Sequence, residues 1–243
     1  KDQFMGDGWT SSSDACIWQR HGEVLMQVHN FKKLDSTNKK AKEYPAGNVI
    51  VAEEQTVAKG RFLRDWDSGL GGAWFSVVIN KDIKNMRYTT FIAAITVCKT
   101  INRYTKASIK WPNDVLIAGK KVCGILSESY GNKVIIGIGI NVNNAIPKEL
   151  KDKAVNLKQL GIMADKDVII EQVLVEFGIL MKDIKNKNQI IEEWKKLCST
   201  LGKKVKVKTV KEEFEGIASD VDDDCNLKKK KKKVIEGDIS HLE

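Results

Sequence analysis

Long apolar runs are what this chain most conspicuously lacks. The richest stretches, Phe91 to Cys98 and Val134 to Val142, fall far short of the roughly 20 residues that a membrane span requires. Residues 1 to 23 contain no apolar core of a secretory signal. The five cysteines (Cys16, Cys98, Cys123, Cys198, Cys225) are odd in number, scattered, and form no C-x-x-C pair. Several sit in apolar runs and read as small core hydrophobes, which favours a reducing cytosol. The three histidines, His21, His29 and His241, share no ligand spacing with them, so a zinc site is not expected. Internal repeats are absent, and proline is scarce, at three residues. What remains is a globular composition: 42% hydrophobic and 30% charged over 243 residues. That suits one catalytic-sized core with a small appendage.

Charge is one-sided, at +9 from 41 basic and 32 acidic residues. Such a balance suits nucleic acid, or anionic small molecules together with an acidic protein partner. No segment has the look of a DNA-reading module. Six consecutive lysines, Lys228 to Lys233, read as a solvated hairpin, with binding of nucleic acid or anionic lipid the lesser reading. Asp220, Asp222, Asp223 and Asp224 lack the glycine and terminal glutamate of a calcium loop. They read as turn acids balancing the lysines.

Residues 1–24 are polar and mixed, and read as a tail. Alternation predicts a strand over Met26 to Phe31. Ser36 can cap a short helix through Tyr44, which Pro45 ends. Strands follow at Asn48 to Ala52 and Ala73 to Ile79, then a helix over Thr89 to Tyr104 with Phe91, Ala94, Ile95, Cys98 and Ile101 on one face. Three strands near 115–117, 121–128 and 133–141 are joined by short glycine turns and so are antiparallel neighbours. Amphipathic helices are predicted at 168–184 and 189–201. From Lys203 onward only short β-like segments remain. The class is α+β, with a mixed, mostly antiparallel sheet and packed helices.

Three segments carry candidate chemistry. Lys110-Trp111-Pro112-Asn113-Asp114 lies between β-like runs, and a proline there is admitted only at a strand end or edge. The chain must turn, holding Lys110 and the Asn113/Asp114 pair on a rigid corner. Gln55 to Trp66 follows a strand and sets Lys59, Arg61 and Arg64 around Gly60. Gly137-Ile138-Gly139-Ile140-Asn141-Val142-Asn143 closes the set.

With Asp35-Ser36-Thr37-Asn38 ahead of them and Lys121-Val122-Cys123-Gly124-Ile125-Leu126 between, these ordered motifs resemble the biotin protein ligases over roughly residues 25 to 243. The resemblance implies a class II synthetase-like biotin/lipoate ligase domain over 25–201 and a small SH3-like β-barrel over 202–243. It implies an enzyme that makes biotinyl-5′-AMP from biotin and ATP with Mg2+. The biotinyl group then passes to a lysine of a biotin carboxyl carrier protein domain. The short segment before residue 25 leaves no room for an N-terminal helix-turn-helix, so an enzyme-only, cytoplasmic form is expected, with neither DNA nor membrane as partner. Homodimerisation is left open.

Adenylation joins two anions, and charge grows on the phosphorus oxygens during attack, so fixed cations are required. The resemblance puts Lys110 between the biotin carboxylate and the phosphate, with Arg61 and Lys59 on the adenylate. Ser36, Thr37 and Gln55 would answer the cyclic urea of biotin, with Gly60 and Gly124 leaving room for ligand. Arg64, Trp66 as an adenine lid, Asn113, Asp114 and Asn141 would serve ATP. Asn113 and Asp114 would either orient Lys110 or bind the metal. Gly137 and Gly139 equally suit close strand packing, and Trp74 and Trp111 read as core or wall. The chain departs from the family at Ala58, where a glycine is usual, at Leu63 and at Gly69. Alanine at 58 costs about 1 kcal/mol if the loop needs a positive φ there, which bears on loop closure more than on ligand identity. Two other functions compete: a lipoate or octanoate ligase or transferase of the same superfamily, and a non-enzymatic biotin-sensing binding protein or repressor.

Overall fold

The computed structural model describes residues 10–12, 15–20, 23–81, 86–182, 184–209, 212–229 and 232–242. In chain order, β1 (Thr10–Ser12), β2 (Ala15–Arg20) and β3 (Glu23–Leu34) lead to α1 (Thr37–Ala41), β4 (Asn48–Gln55) and β5 (Ala73–Asn80). Helix α2 (Met86–Asn102) precedes β6 (Ala107–Lys110), β7 (Asp114–Ile117), β8 (Lys120–Tyr130) and β9 (Lys133–Ile140). Helices α3 (Lys166–Lys182) and α4 (Lys187–Leu197) follow. The remaining strands are β10 (Lys204–Lys208), β11 (Glu213–Ile217), β12 (Asp220–Val221), β13 (Leu227–Lys229), β14 (Lys232–Val234) and β15 (Asp238–His241). Two compact units result: Lys1–Asp82 with Gly124–Glu171, and Ile83–Cys123 with Gln172–Glu243.

The first unit is built on strands in the order β1-β2-β3-β4-β5-β9-β8. The β3–β4 pair is parallel, and β1–β2, β2–β3, β4–β5 and β5–β9 are antiparallel. Within the stretch expected as a polar tail, residues 10–12 and 15–20 are strands; residues 1–9, 13–14 and 21–22 lie outside the described residues. Strands β4 and β5 read as unbroken apolar runs because both faces are covered: Val49, Ile50, Val51, Trp74, Phe75, Val77 and Val78 are all buried. Ser36 caps α1 as expected, accepting from the Lys39 amide. The helix stops at Ala41 rather than Tyr44: the amides of Lys42, Glu43 and Tyr44 donate three residues back, to Lys39, Lys40 and Ala41, and the Lys133 ammonium donates to the carbonyls of Lys42 (2.7 Å) and Tyr44 (2.8 Å). These late carbonyls have no helical partner, and a cation there satisfies them. Ala41 seats α1 on Ile50, Val78 and Ile135.

In the second unit β6 and β7 form a hairpin in which Lys110 pairs with Asp114. Ala118 and Gly119, with φ of 48° and 80°, turn the chain from β7 into β8, a left-handed two-residue turn suited to a twisted antiparallel pair. Helix α2 is buried on a wider arc than its expected stripe, with Ile92, Ala93, Thr96, Val97 and Thr100 also enclosed. Phe91 stacks on Trp194 of α4, with ring centroids 4.2 Å apart. Asn186 caps α4, accepting from the Gln189 amide, so the helix starts two residues earlier than periodicity indicates. The last strands form two three-stranded sheets, β11-β10-β15 and β12-β13-β14. The six-lysine run makes the β13–β14 hairpin, with Lys230 and Lys231 outside the described residues. Lys233 pairs with Asp222 (2.6 Å) and Asp224 (3.5 Å), and Lys228 with Asp220 (3.8 Å), so the acids do balance the lysines.

Candidate functional site

The expected biotin contacts of the first unit converge on one sheet face. Registers Ser76↔Gly137 and Trp74↔Gly139 align β5 with β9, so these four residues share the face on which α1 lies. Gln55 Oε1 accepts from the Thr37 amide (2.7 Å) and lies 3.1 Å from Thr37 Oγ1, while Gln55 Nε2 donates to Ser68 Oγ (3.0 Å). Ser76 Oγ lies 2.8 Å from Thr37 Oγ1 and 2.7 Å from Asn38 Oδ1. Ser36 is half-buried at the start of the same helix, its oxygen occupied by the cap. Asp35 accepts from the Ser36 amide and from Lys39, and its hydrogen bond to Lys39, with the Ser36 amide next, holds its carboxyl below the usual range. Gly124 lies in β8 of this unit.

Residues 55–68 form a closed flap. Gln55 bridges Ser68 and Lys59 bridges Asp65, with Gly60 N donating to Arg64 O (2.7 Å) and Trp66 N to Ala58 O (3.0 Å). Lys59 forms an ion pair with Asp65. The guanidinium carbons of Arg61 and Arg64 lie 5.0 and 5.5 Å from the Phe62 ring centroid. Ala58 is buried and has no positive φ, so the condition under which it would cost stability is not met. The left-handed residues are Phe62 (φ 56°) and Leu63 (φ 57°) at the exposed tip. Of the departures noted in the sequence, the one at Leu63 bears the conformational cost.

Glycine spacing on β9 is set by close approach. A Cβ at Gly137 would stand 2.2 Å from Asn38 Oδ1, and one at Gly139 would stand 2.6 Å from Trp66 Nε1. Trp66 thus lies on the strand, edge-on to Trp74 at 6.4 Å, while Trp74 is buried and donates to Gly69 O (2.9 Å). Asn141, also buried, accepts from Asn144 Nδ2 (3.1 Å), and Asn144 O accepts from Asn156 Nδ2 (2.7 Å).

The second unit carries Lys110, Asn113 and Asp114 on the β6–β7 turn, which contains a cis Trp111–Pro112 peptide. Asp114 is paired with Lys121 at 2.8 Å rather than with Lys110. Lys110 is half-buried, and among the described residues its ammonium has no ion-pair partner. Burial holds its pKa below that of an ordinary lysine; Asp114 opposes this and Lys121 adds to it. Asn113 is buried. Trp111 is buried too, its indole donating to Cys225 O (3.1 Å) and its amide to Thr200 Oγ1 (3.1 Å). Thr200 Oγ1 in turn lies 3.1 Å from His241 Nε2.

Sequence reasoning passed over Ser76, Glu128, Ser68, Thr200 and His241, and gave Asn38 no role of its own. Ser76 had a signal, a lone hydroxyl inside an apolar strand. The others are joined to the site only by long-range contacts.

Fold and motif set together define a class. The family model "Biotin/lipoate A/B protein ligase family" matches residues 27–143. A biotin–[acetyl-CoA-carboxylase] ligase of Mycobacterium tuberculosis is 31% identical over 193 residues, covering 74% of this chain and 72% of that protein. The bifunctional ligase/repressor BirA of Bacillus subtilis is 36% identical over 212 residues, and this chain spans 65% of its length. The structure of the Aquifex aeolicus biotin protein ligase in complex with biotin and ATP superposes with a TM-score of 0.81 at 30% identity, covering 88% of this chain and 98% of that one. The chain belongs to the biotin protein ligase family.

Proposed function

We propose that this protein activates biotin with ATP and transfers the biotinyl group to a lysine of a biotin carboxyl carrier domain. The observation that carries the reading is Lys110: a half-buried ammonium on a rigid hairpin turn, with its neighbouring carboxylate committed elsewhere. A partly desolvated cation without an ion pair is stabilised by an incoming anion, most of all where negative charge accumulates. In the first step a biotin carboxylate oxygen bonds to the α-phosphorus and pyrophosphate leaves. In the second, the acceptor amine attacks the acyl carbon and AMP leaves with the bonding electrons. Lys110 stabilises the first step. Lys59 and Arg61 hold the adenylate after exchanging Asp65 and Phe62 for phosphate oxygens. Ser36, Thr37 and Gln55 take the cyclic urea, with Gly60 and Gly124 beside the ligand; Arg64, Trp66, Asn113, Asp114 and Asn141 serve the nucleotide.

Among the described residues no group of three or more metal-ligating side chains occurs. Magnesium would therefore be carried mainly by the triphosphate and water, as suits an ion that dehydrates reluctantly. The thiols Cys98 and Cys198, free among the described residues, fit a reducing cytoplasm. Residues 202–243 are read as the SH3-like module. The relatives supporting this function are ligases by name. Biotin-dependent ATP–pyrophosphate exchange, run beside lipoate, tests the reading. Exchange with biotin alone supports it, and exchange with lipoate alone transfers the assignment to the lipoate branch.

A further inference from the structure

The polar chain beneath α1 has more oxygens than protons. It runs Gln55 Oε1, Thr37 Oγ1, Ser76 Oγ, Asn38 Oδ1, with contacts of 3.1, 2.8 and 2.7 Å. Both ends are locked as acceptors. The Gln55 amide cannot flip, because its oxygen faces the Thr37 N–H (2.7 Å) and its nitrogen donates to Ser68 Oγ (3.0 Å). The Asn38 amide cannot flip either, because Nδ2 faces two acceptors, the Glu128 carboxylate (2.6 Å) and the Leu126 carbonyl (3.4 Å). Two hydroxyls therefore supply two protons for three contacts. Thr37 donates to Gln55, and Ser76, with one proton for two contacts, gives it to the nearer oxygen, on Asn38. The 2.8 Å Ser76–Thr37 contact is then without a proton, and the Thr37 hydroxyl oxygen keeps acceptor capacity.

We infer that Asn38, Glu128 and Ser76 are positioning residues that fix the proton direction of this chain, so that Thr37 presents an acceptor selective for a ligand with N–H donors. The inference rests on the biotin reading, since a cyclic urea is such a ligand, and it adds how that selectivity is set. Glu128 is the control point. Glutamine there can offer N–H to Asn38, whose amide is then free to turn and donate to Ser76. Ser76 would donate to Thr37 and Thr37 to Gln55; all three contacts would be filled and the acceptor capacity lost.

The test is calorimetric titration of wild type, E128Q and S76A with biotin and with biotin methylated at a ureido nitrogen, alongside steady-state kinetics. In E128Q the Kd and KM for biotin should rise about tenfold, the worth of roughly one hydrogen bond. The preference for biotin over the methylated ligand should shrink by a similar factor, with kcat and the KM for ATP unchanged. A merely structural role would not move that preference. S76A, which removes a single oxygen, should lose the preference too, and it serves alone if E128Q fails to fold. Folded variants that keep the wild-type preference overturn the inference. Failure of the wild type to bind biotin at all overturns the functional reading instead.

Discussion

Leu63 and Ala58 exchange the roles that their residue types suggest. A left-handed L-residue costs roughly 1–2 kcal/mol, a cost glycine does not bear, and Leu63 carries it at an exposed tip where its side chain gains no burial. Leu63→Gly should therefore stabilise the closed flap, seen as slower proteolysis between residues 55 and 68 in the presence of biotin. Ala58→Gly should do the opposite: it adds chain entropy without relieving any φ, at about 0.5–1 kcal/mol. A glycine at 58 that tightens biotin binding would show that the liganded loop adopts a different backbone there.

Lys110 separates stability from activity. Its pKa is lowered by burial, so the folded state holds a proton less tightly than the unfolded chain, and the charged side chain opposes folding at neutral pH. That penalty is relieved as pH rises through the depressed folded value towards the ordinary 10.5. Lys110→Met should leave the thermal midpoint unchanged or raised while biotin-dependent exchange falls on the order of a hundredfold. Near wild-type exchange in a folded variant would make Lys110 structural.

At the scale of elements, strand β15 is tied to the K-W-P-N-D turn through Trp111 N–H, Thr200 and His241. Burial pushes the His241 imidazole down to about 4 from 6.5, with Lys203 and then Lys110 adding to the effect. The unfolded chain thus binds the extra proton between those values. Stability from neutral His241 is complete above pH 6.5 and is lost as pH falls towards 4. Urea midpoints measured across that window should drop for wild type and drop less for His241→Gln. Parallel curves would mean that acid unfolding is governed by other groups. Helix limits belong to this scale too. Asn186 caps the start of α4, and Lys133 satisfies carbonyls past the end of α1, through contacts that periodicity does not register.

Across the second unit the terminal sheets are more than an appendage. Removing them would strip Trp111 of the Cys225 carbonyl, Thr200 of His241, and the Tyr88 hydroxyl of the Asp223 carbonyl it donates to. A chain ending at Gly202 should accordingly lose pyrophosphate exchange together with transfer. Full exchange by a soluble truncated chain would show the terminal sheets to be dispensable for adenylation.

Class, motif set and most element positions were legible in the linear chain, because each is written in local chemistry. Apolar periodicity marked the helices, Ser36 the cap, Pro112 the hairpin corner, and the clustered cations around Gly60 the basic loop after β4. What depended on tertiary structure is everything set by contacts between distant segments. Gly137 and Gly139 are required by Asn38 and Trp66 lying on β9. Asp114 pairs with Lys121 rather than with Lys110. The direction of the Thr37–Ser76–Asn38 protons is fixed from Glu128, 90 residues along the chain from Asn38. Such pairings leave no periodic trace in the sequence, since their energies come from burial and proton counting among groups that only folding brings together.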